Sequence, residues 1–190
     1  MLVNMIPVTG RADLPGIEAL LSIANSRHGP GAHAWPSRLS SDAVHDHLES
    51  ADEARGYFAE EGIALPAQRM APRQLDALRR LREATWALVE AGGVARLARL
   101  SAPLVSRARF RFDQTGSLQP AESGWPGFVA GVVPSLFELS SLRERLKICR
   151  NPECGWLFLD RTRNQNRVWC DMSFCGNRAK VSRHSRRHRP

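Results

Sequence analysis

Apolar residues recur every three or four positions through RQLDALRRLREATWALVEAG, residues 73–92, which sets Leu75, Leu78, Leu81, Ala84, Trp86 and Leu88 near one face of a helix. Arg79, Arg80 and Glu83 fall largely opposite, and Gly92-Gly93 supplies the stop. This segment reads as the central helix of a mainly helical N-terminal region. DLPGIEALLSIANSR (13–27) and SSDAVHDHLESADEARGYFAEEG (40–62) predict earlier helices with Ser or Asp caps, and GGVARLARLSAPL (92–104) a shorter one. GWPGFVAGVVPSLFELSSLRERL (124–146) predicts a late apolar helix broken near Pro134, and SSLRERLKIC (140–149) carries helix onward into the C-terminal quarter. The period changes to two in SRARFRFDQTGSLQPAE (106–122), where Ala108, Phe110 and Phe112 alternate before DQTG, a hairpin signal. Trp35, Trp86 and Trp125 suit core or loop anchors.

A second period-two stretch lies in GWLFLDRTRNQNRVWC (155–170). Trp156 and Phe158, with Val168, alternate with Leu157 and Leu159 around the polar turn DRTRNQNR, which predicts two short strands of a β-hairpin. Asp171 or Ser173 can cap a following helix whose first turn holds Cys175, and no breaker interrupts that helix before Pro190. All four cysteines of the chain, Cys149, Cys154, Cys170 and Cys175, border this stretch in the spacing C-x4-C-x15-C-x4-C. Two close pairs divided by a longer insert suit a tetrahedral four-thiolate Zn2+ site. Two disulfides or unrelated buried thiols are the alternatives. The N-terminus MLVNMIPVTGRADLPG lacks the basic start and long apolar core of an export signal, which points to a reducing cytoplasm and favours the metal. A knuckle, a hairpin and a helix that donates the last thiolate make a treble-clef zinc finger.

Charge sharpens the division of the chain. Residues 1–142 carry 14 Arg and 15 acidic residues, a net of −1, whereas residues 143–190 carry 13 Arg and Lys against four acids, a net of +9. The reading is therefore a helical domain over 1–142 and a basic zinc finger over 143–190. On the terminal helix Arg178, Lys180, Arg183, His184, Arg186 and Arg187 form a broad basic surface, and Arg161, Arg163 and Arg167 add charge from the loop. DNA is the expected partner, because clustered arginines suit phosphate and guanine edges. The competing readings are a solvated tail and an adaptor whose finger binds RNA or an acidic protein surface.

The run CGWLFLDRTRNQNRVWCDMSFCGNRAKVSRH closely resembles the CGNR zinc finger, named for the residues that stand here as Cys175, Gly176, Asn177 and Arg178. In that family the finger follows an N-terminal ABATE domain, and the proteins are regarded as stress-linked bacterial transcription regulators. LPGIEALLSIANSR is similar to the family's apolar helix ending in an Asn-Thr-Arg run, with Ser26 in place of Thr. The resemblance implies a fold that is mainly α with a small β-sheet, followed by the treble clef. It also implies an N-terminal domain that takes a small ligand or a partner, with Asn25, Arg27 and Arg82 as pocket residues. Read from the residues alone, Asn25 and Arg27 cap the first helix and meet its dipole.

Catalytic signatures are missing from the sequence: it has no G-x-S-x-G elbow, Walker loop, G-x-G-x-x-G turn or H-E-x-x-H pair. A four-thiolate site leaves zinc no open position, and residues 155–169 contain no histidine of the kind a treble-clef nuclease needs. His45 and His47, if helical, point about 200° apart and cannot share one ion. No apolar run is long enough to span a membrane.

Overall fold

The computed structural model describes residues 15–28, 45–151 and 154–181. Within them five longer α-helices, a further helical stretch at 177–181 and three two-stranded antiparallel sheets are formed. Helices α1 (Pro15–Asn25), α3 (Pro72–Ala87) and α5 (Gly124–Ser141) pack on one another around the main apolar core, while α2 (Ala51–Glu60) and α4 (Val94–Val105) flank them. The apolar face predicted for the central helix is the buried one: Leu75, Leu78, Leu81 and Ala84 are all in the core. Pro72 opens α3, where its missing N–H costs nothing, and the Gln74 side chain accepts from the Ala71 N–H at 3.0 Å. Gly16 lets α1 approach α5, since a Cβ there would lie 2.2 Å from Ser135 Oγ.

Polar ties fix the helices where the core leaves them free to slide. Trp86 Nε1 donates to the Ala24 carbonyl at 2.9 Å, and Tyr57 Oη donates to the Ser22 carbonyl at 2.9 Å. Trp125 is buried, with Nε1 donating to Gln68 O at 3.1 Å. The hairpin predicted at DQTG is present as β3 (Phe110–Phe112) paired with β4 (Leu118–Pro120). Asp113 Oδ1 closes its turn by accepting from Thr115 N at 2.8 Å and Ser117 N at 2.9 Å.

Four expectations are corrected. Helix α5 is not broken at Pro134 but runs through it: Pro134 is on the exposed side, and buried Val132, Val133, Ser135 and Leu136 on either side hold the helix together. Helix does not continue from α5 toward Cys149. It ends at Ser141, a single 3-10 turn (Arg143–Arg145) follows, and the chain extends as β5 (Leu146–Ile148). The second strand predicted near Val168 is absent; the partner of β6 (Leu157–Leu159) is β5, so the hairpin is closed by the first cysteine pair and not by the polar turn. Finally, α2 does not include His45 and His47. It begins at Ala51, capped by Ser50, whose Oγ accepts from Glu53 N at 3.1 Å. His45 instead lies in β2 (His45–Asp46), which pairs with β1 (Arg27–His28).

The alternation in β6 divides its side chains between two cores. Leu157 and Leu159 join the main cluster with Leu146, whereas Phe158 faces the cysteines together with Trp156, Trp169 and Phe174. One three-residue strand thereby belongs to both the helical body and the finger. Trp35, the predicted terminal helix beyond residue 181 and the N-terminal residues 1–14 lie outside the described residues.

Candidate metal centre and nucleic-acid interface

The first cysteine pair flanks the turn between β5 and β6. Cys149 N donates to the Trp156 carbonyl at 2.8 Å and Cys154 N to the Asn151 carbonyl at 2.9 Å. Gly155, at φ +66°, supplies the left-handed backbone that ends the knuckle. The second pair is set by one wide turn, Met172–Gly176, in which the Gly176 N–H reaches the Asp171 carbonyl five residues back at 3.0 Å. Asp171 caps it, as anticipated, by accepting from Phe174 N at 2.9 Å. Residues 177–181 continue as α-helix.

These two turns bring the four thiols together, each offering a sulfur within 4.8 Å of the others. Cys154 Sγ is 3.5 Å from Cys170 Sγ, which is 3.7 Å from Cys175 Sγ. Four sulfurs bonded at 2.3 Å to one tetrahedral ion stand about 3.8 Å apart, so the donor set fits a single structural Zn2+. As neutral thiols two of them resist ionisation: the contact with Cys154, and then burial, holds Cys170 far above the usual thiol range, and burial pushes Cys175 up to about 12. A dication reverses that preference by giving each thiolate a counter-charge at bonding distance. Asn151 Nδ2 points at Cys175 Sγ from 3.5 Å, an orientation that supports the thiolate form.

The polar loop after β6 is organised by one carboxylate. Asp160 is fully buried and accepts from Lys147 Nζ at 2.6 Å, Thr162 Oγ1 at 2.6 Å, Thr162 N at 3.0 Å and Arg167 N at 2.9 Å. Burial alone would raise its pKa, but the Lys147 ammonium and these donors hold the carboxyl well below its usual range. This hub takes the place of a second strand and returns the chain to Cys170. Sequence reasoning passed over it; the signal was a lone acid among arginines directly after an apolar strand.

Matches to known family models follow this geometry. A model described as "CGNR zinc finger" matches residues 145–188. A second, described as ABATE, "Putative stress-induced transcription regulator", matches residues 18–146, about two thirds of the chain. The chain belongs to the ABATE family. No curated protein matches it. Both family descriptions name a regulator or a zinc finger, and neither names an enzyme.

The motif residues of this ABATE-family chain have separate structural tasks. Cys175 is a fully buried ligand, Asn177 Nδ2 donates to the Ser173 carbonyl at 2.8 Å, and the Arg178 guanidinium lies 4.9 Å from the centre of the Phe174 ring. The arginines proposed from the sequence for nucleic acid are not equivalent. Arg167 is drawn inward: its Nε donates to the Trp169 carbonyl at 2.8 Å, its Nη2 donates to the Cys170 carbonyl, and its guanidinium covers Phe158. Arg161 pairs with Glu18 of α1 at 2.5 Å, where both side chains are more than half exposed. Arg163, Arg178 and Lys180 are exposed. Arg183, His184, Arg186 and Arg187 lie outside the described residues.

Asn25 does not cap α1. Its Nδ2 donates to the Leu157 carbonyl at 2.9 Å and its Oδ1 accepts from the Leu157 N–H at 2.9 Å, a two-point grip on the finger's strand made across the buried boundary. Arg82 is buried and pairs bidentately with Asp46, at 2.6 and 3.0 Å, while its Nη1 reaches Ser26 Oγ at 3.3 Å. Arg27 is exposed on β1. Arg82 and Ser26 are thus brought together, and Asn25 is turned toward the finger.

Three imidazoles collect beside that ion pair. His28 Nε2 is 3.1 Å from His47 Nε2, and the His45 and His47 ring centres are 4.2 Å apart. Burial, with His45 and His28 alongside, pushes His47 down to about 4, so that its ring is neutral at pH 7. Sequence reasoning excluded a shared site here on the premise of a helix. In extended chain, residues two apart lie on one side, and that is how His45 and His47 meet.

Proposed function

We propose that this ABATE-family chain is a non-enzymatic, stress-linked bacterial transcription regulator that binds DNA through its zinc finger and the basic segment that follows it. The helical part, residues 1–142, serves in this reading as the sensing or partner-binding domain, and the protein works in the cytoplasm. The observation that carries the reading is the charge partition, a net of +9 over residues 143–190 against −1 over residues 1–142, on a scaffold pinned by four thiolates. Zn2+ with four thiolates carries −2, so a surplus of cations is left to meet phosphate.

The finger's internal bonds sort the arginines that support this reading. Arg167 acts within the finger, whereas Arg163, Arg178 and Lys180 offer exposed charge, and Arg183, His184, Arg186 and Arg187 follow them in the sequence. Arg161 contributes in a second way: an exposed pair such as Arg161–Glu18 is worth about 0–1 kcal/mol, so phosphate competes for it readily. No helix among the described residues is long and apolar enough to cross a membrane.

Competition between labelled duplex DNA and unlabelled structured RNA or an acidic protein tests the choice of partner. With zinc-loaded full-length protein, duplex DNA is expected to resist displacement by equal concentrations of either competitor. Preferential displacement by RNA or by the acidic protein would replace the reading with an adaptor that binds that partner.

A further inference from the structure

We propose a second metal site, unrelated to the finger, in which His45, His47 and Glu53 bind one divalent transition-metal ion and His28 orients one of the ligands. His45 Nε2 lies 3.5 Å and His47 Nδ1 3.9 Å from the same atom, Glu53 Oε2, and the three residues offer donors all within 4.8 Å of one another. Donors bonded at 2.0–2.2 Å to a tetrahedral or octahedral ion stand about 2.9–3.5 Å apart, so small side-chain rotations close the site. The present separations are too long for good N–H···O bonds, which leaves the carboxylate oxygen facing two nitrogens without a tight contact.

Local structure aims the three donors. Pairing of β1 with β2 sets His28 opposite His45, and the His47 N–H donates to the Ser26 carbonyl at 2.8 Å. The Ser50 cap begins α2, which puts Glu53 in its first turn. One turn on, Tyr57 stacks on the His47 ring at 4.4 Å between centroids and 15° between planes. Nδ1 of His47 faces Glu53 while its Nε2 faces His28 Nε2 at 3.1 Å. When His28 accepts that bond, the proton stays on His47 Nε2 and the Nδ1 lone pair points at the site, the arrangement that metal-ligating histidines use.

Two imidazoles with one carboxylate favour zinc, nickel, cobalt or iron(II) over magnesium and calcium, which prefer oxygen donors. Three protein ligands leave further positions for water or an exogenous ligand. The neighbouring Asp46 is not a fourth donor: Arg82 takes both its oxygens, and the Leu48 N–H bonds Oδ1 at 2.9 Å. The proposal does not depend on DNA binding.

Equilibrium dialysis of zinc-loaded full-length protein against Ni2+, with both metals measured, tests it. One nickel per chain in the micromolar range is expected beside an unchanged finger zinc, with at least a tenfold loss of nickel affinity in His45→Ala and in Glu53→Gln. His28→Asn, which removes the orienting imidazole and leaves the three ligands in place, is expected to weaken binding by about 10–100-fold. His45 and Glu53 are substantially exposed, so unchanged far-UV circular dichroism should accompany the first two variants. Absence of nickel binding by the wild type overturns the proposal. So does equal affinity in His45→Ala and Glu53→Gln, which would put the nickel elsewhere, for example at His33, His184 or His188.

Discussion

Replacing Cys175 by serine is expected to release the zinc and unfold the finger, with the largest loss of stability of any single substitution in the chain. The segment from Cys149 to Gly176 has a small core, built on the cysteines themselves with Phe158, Trp156, Trp169 and Phe174 around them. In fingers of this size the metal supplies about 10–16 kcal/mol of apparent binding free energy at neutral pH, most of which is folding free energy. Cys175 is fully buried, so a serine there loses a ligand and leaves a hydroxyl among apolar rings. Trp156 and Trp169 should move into water, giving a red shift in fluorescence that a chelator reproduces in the wild type. The helical part is expected to stay folded but to melt at lower temperature, because Leu146, Leu157 and Leu159 also belong to its core. Unchanged fluorescence and zinc content in Cys175→Ser would contradict the assignment.

Asn25→Ala is expected to cost about 2–6 kcal/mol of stability, although residue 25 touches no cysteine. The substitution leaves the N–H and the carbonyl of Leu157 buried without their 2.9 Å partners, and each such orphan costs about 1–3 kcal/mol. Since Asn25 ends α1 and Leu157 begins β6, the loss should loosen the finger from the helices. Chemical denaturation measures the cost, and hydrogen exchange at the Leu157 amide localises it. Asn25→Asp keeps the acceptor and loses the donor, so it should fall between the wild type and alanine at the Leu157 amide. A cost under 0.5 kcal/mol for Asn25→Ala would mean that the grip carries no strain-free stabilisation.

Local signals were legible and long-range ones were not. The three-residue spacing of Leu75, Leu78 and Leu81 and the C-x4-C-x15-C-x4-C spacing are properties of a few consecutive turns of chain, and both led to the elements observed. The sequence S-A-D-E at residues 50–53 is a capping-box signal that marks where α2 starts, and heeding it would have kept His45 and His47 out of the helix. Leu146 and Ile148 alternate about Lys147, a short period-two run hidden by the helix-forming residues before it. The Asn25–Leu157 grip joins residues 132 apart, and Arg82–Asp46 joins residues 36 apart; no local pattern encodes either. Asp160 took the role of a strand because one buried carboxylate with four donors orders a loop that periodicity cannot describe.

The salt dependence of duplex-DNA affinity tests the regulator account most directly. If Arg178, Arg183, Arg186 and Arg187 with one loop arginine neutralise about five phosphates, the log-log slope should lie near about −4.5. Arg183→Gln combined with Arg187→Gln preserves helix propensity and the thiolates, so zinc content should not change while affinity falls and the slope flattens by about two units. The same slope and affinity in that double variant would contradict DNA binding through the C-terminal basic segment.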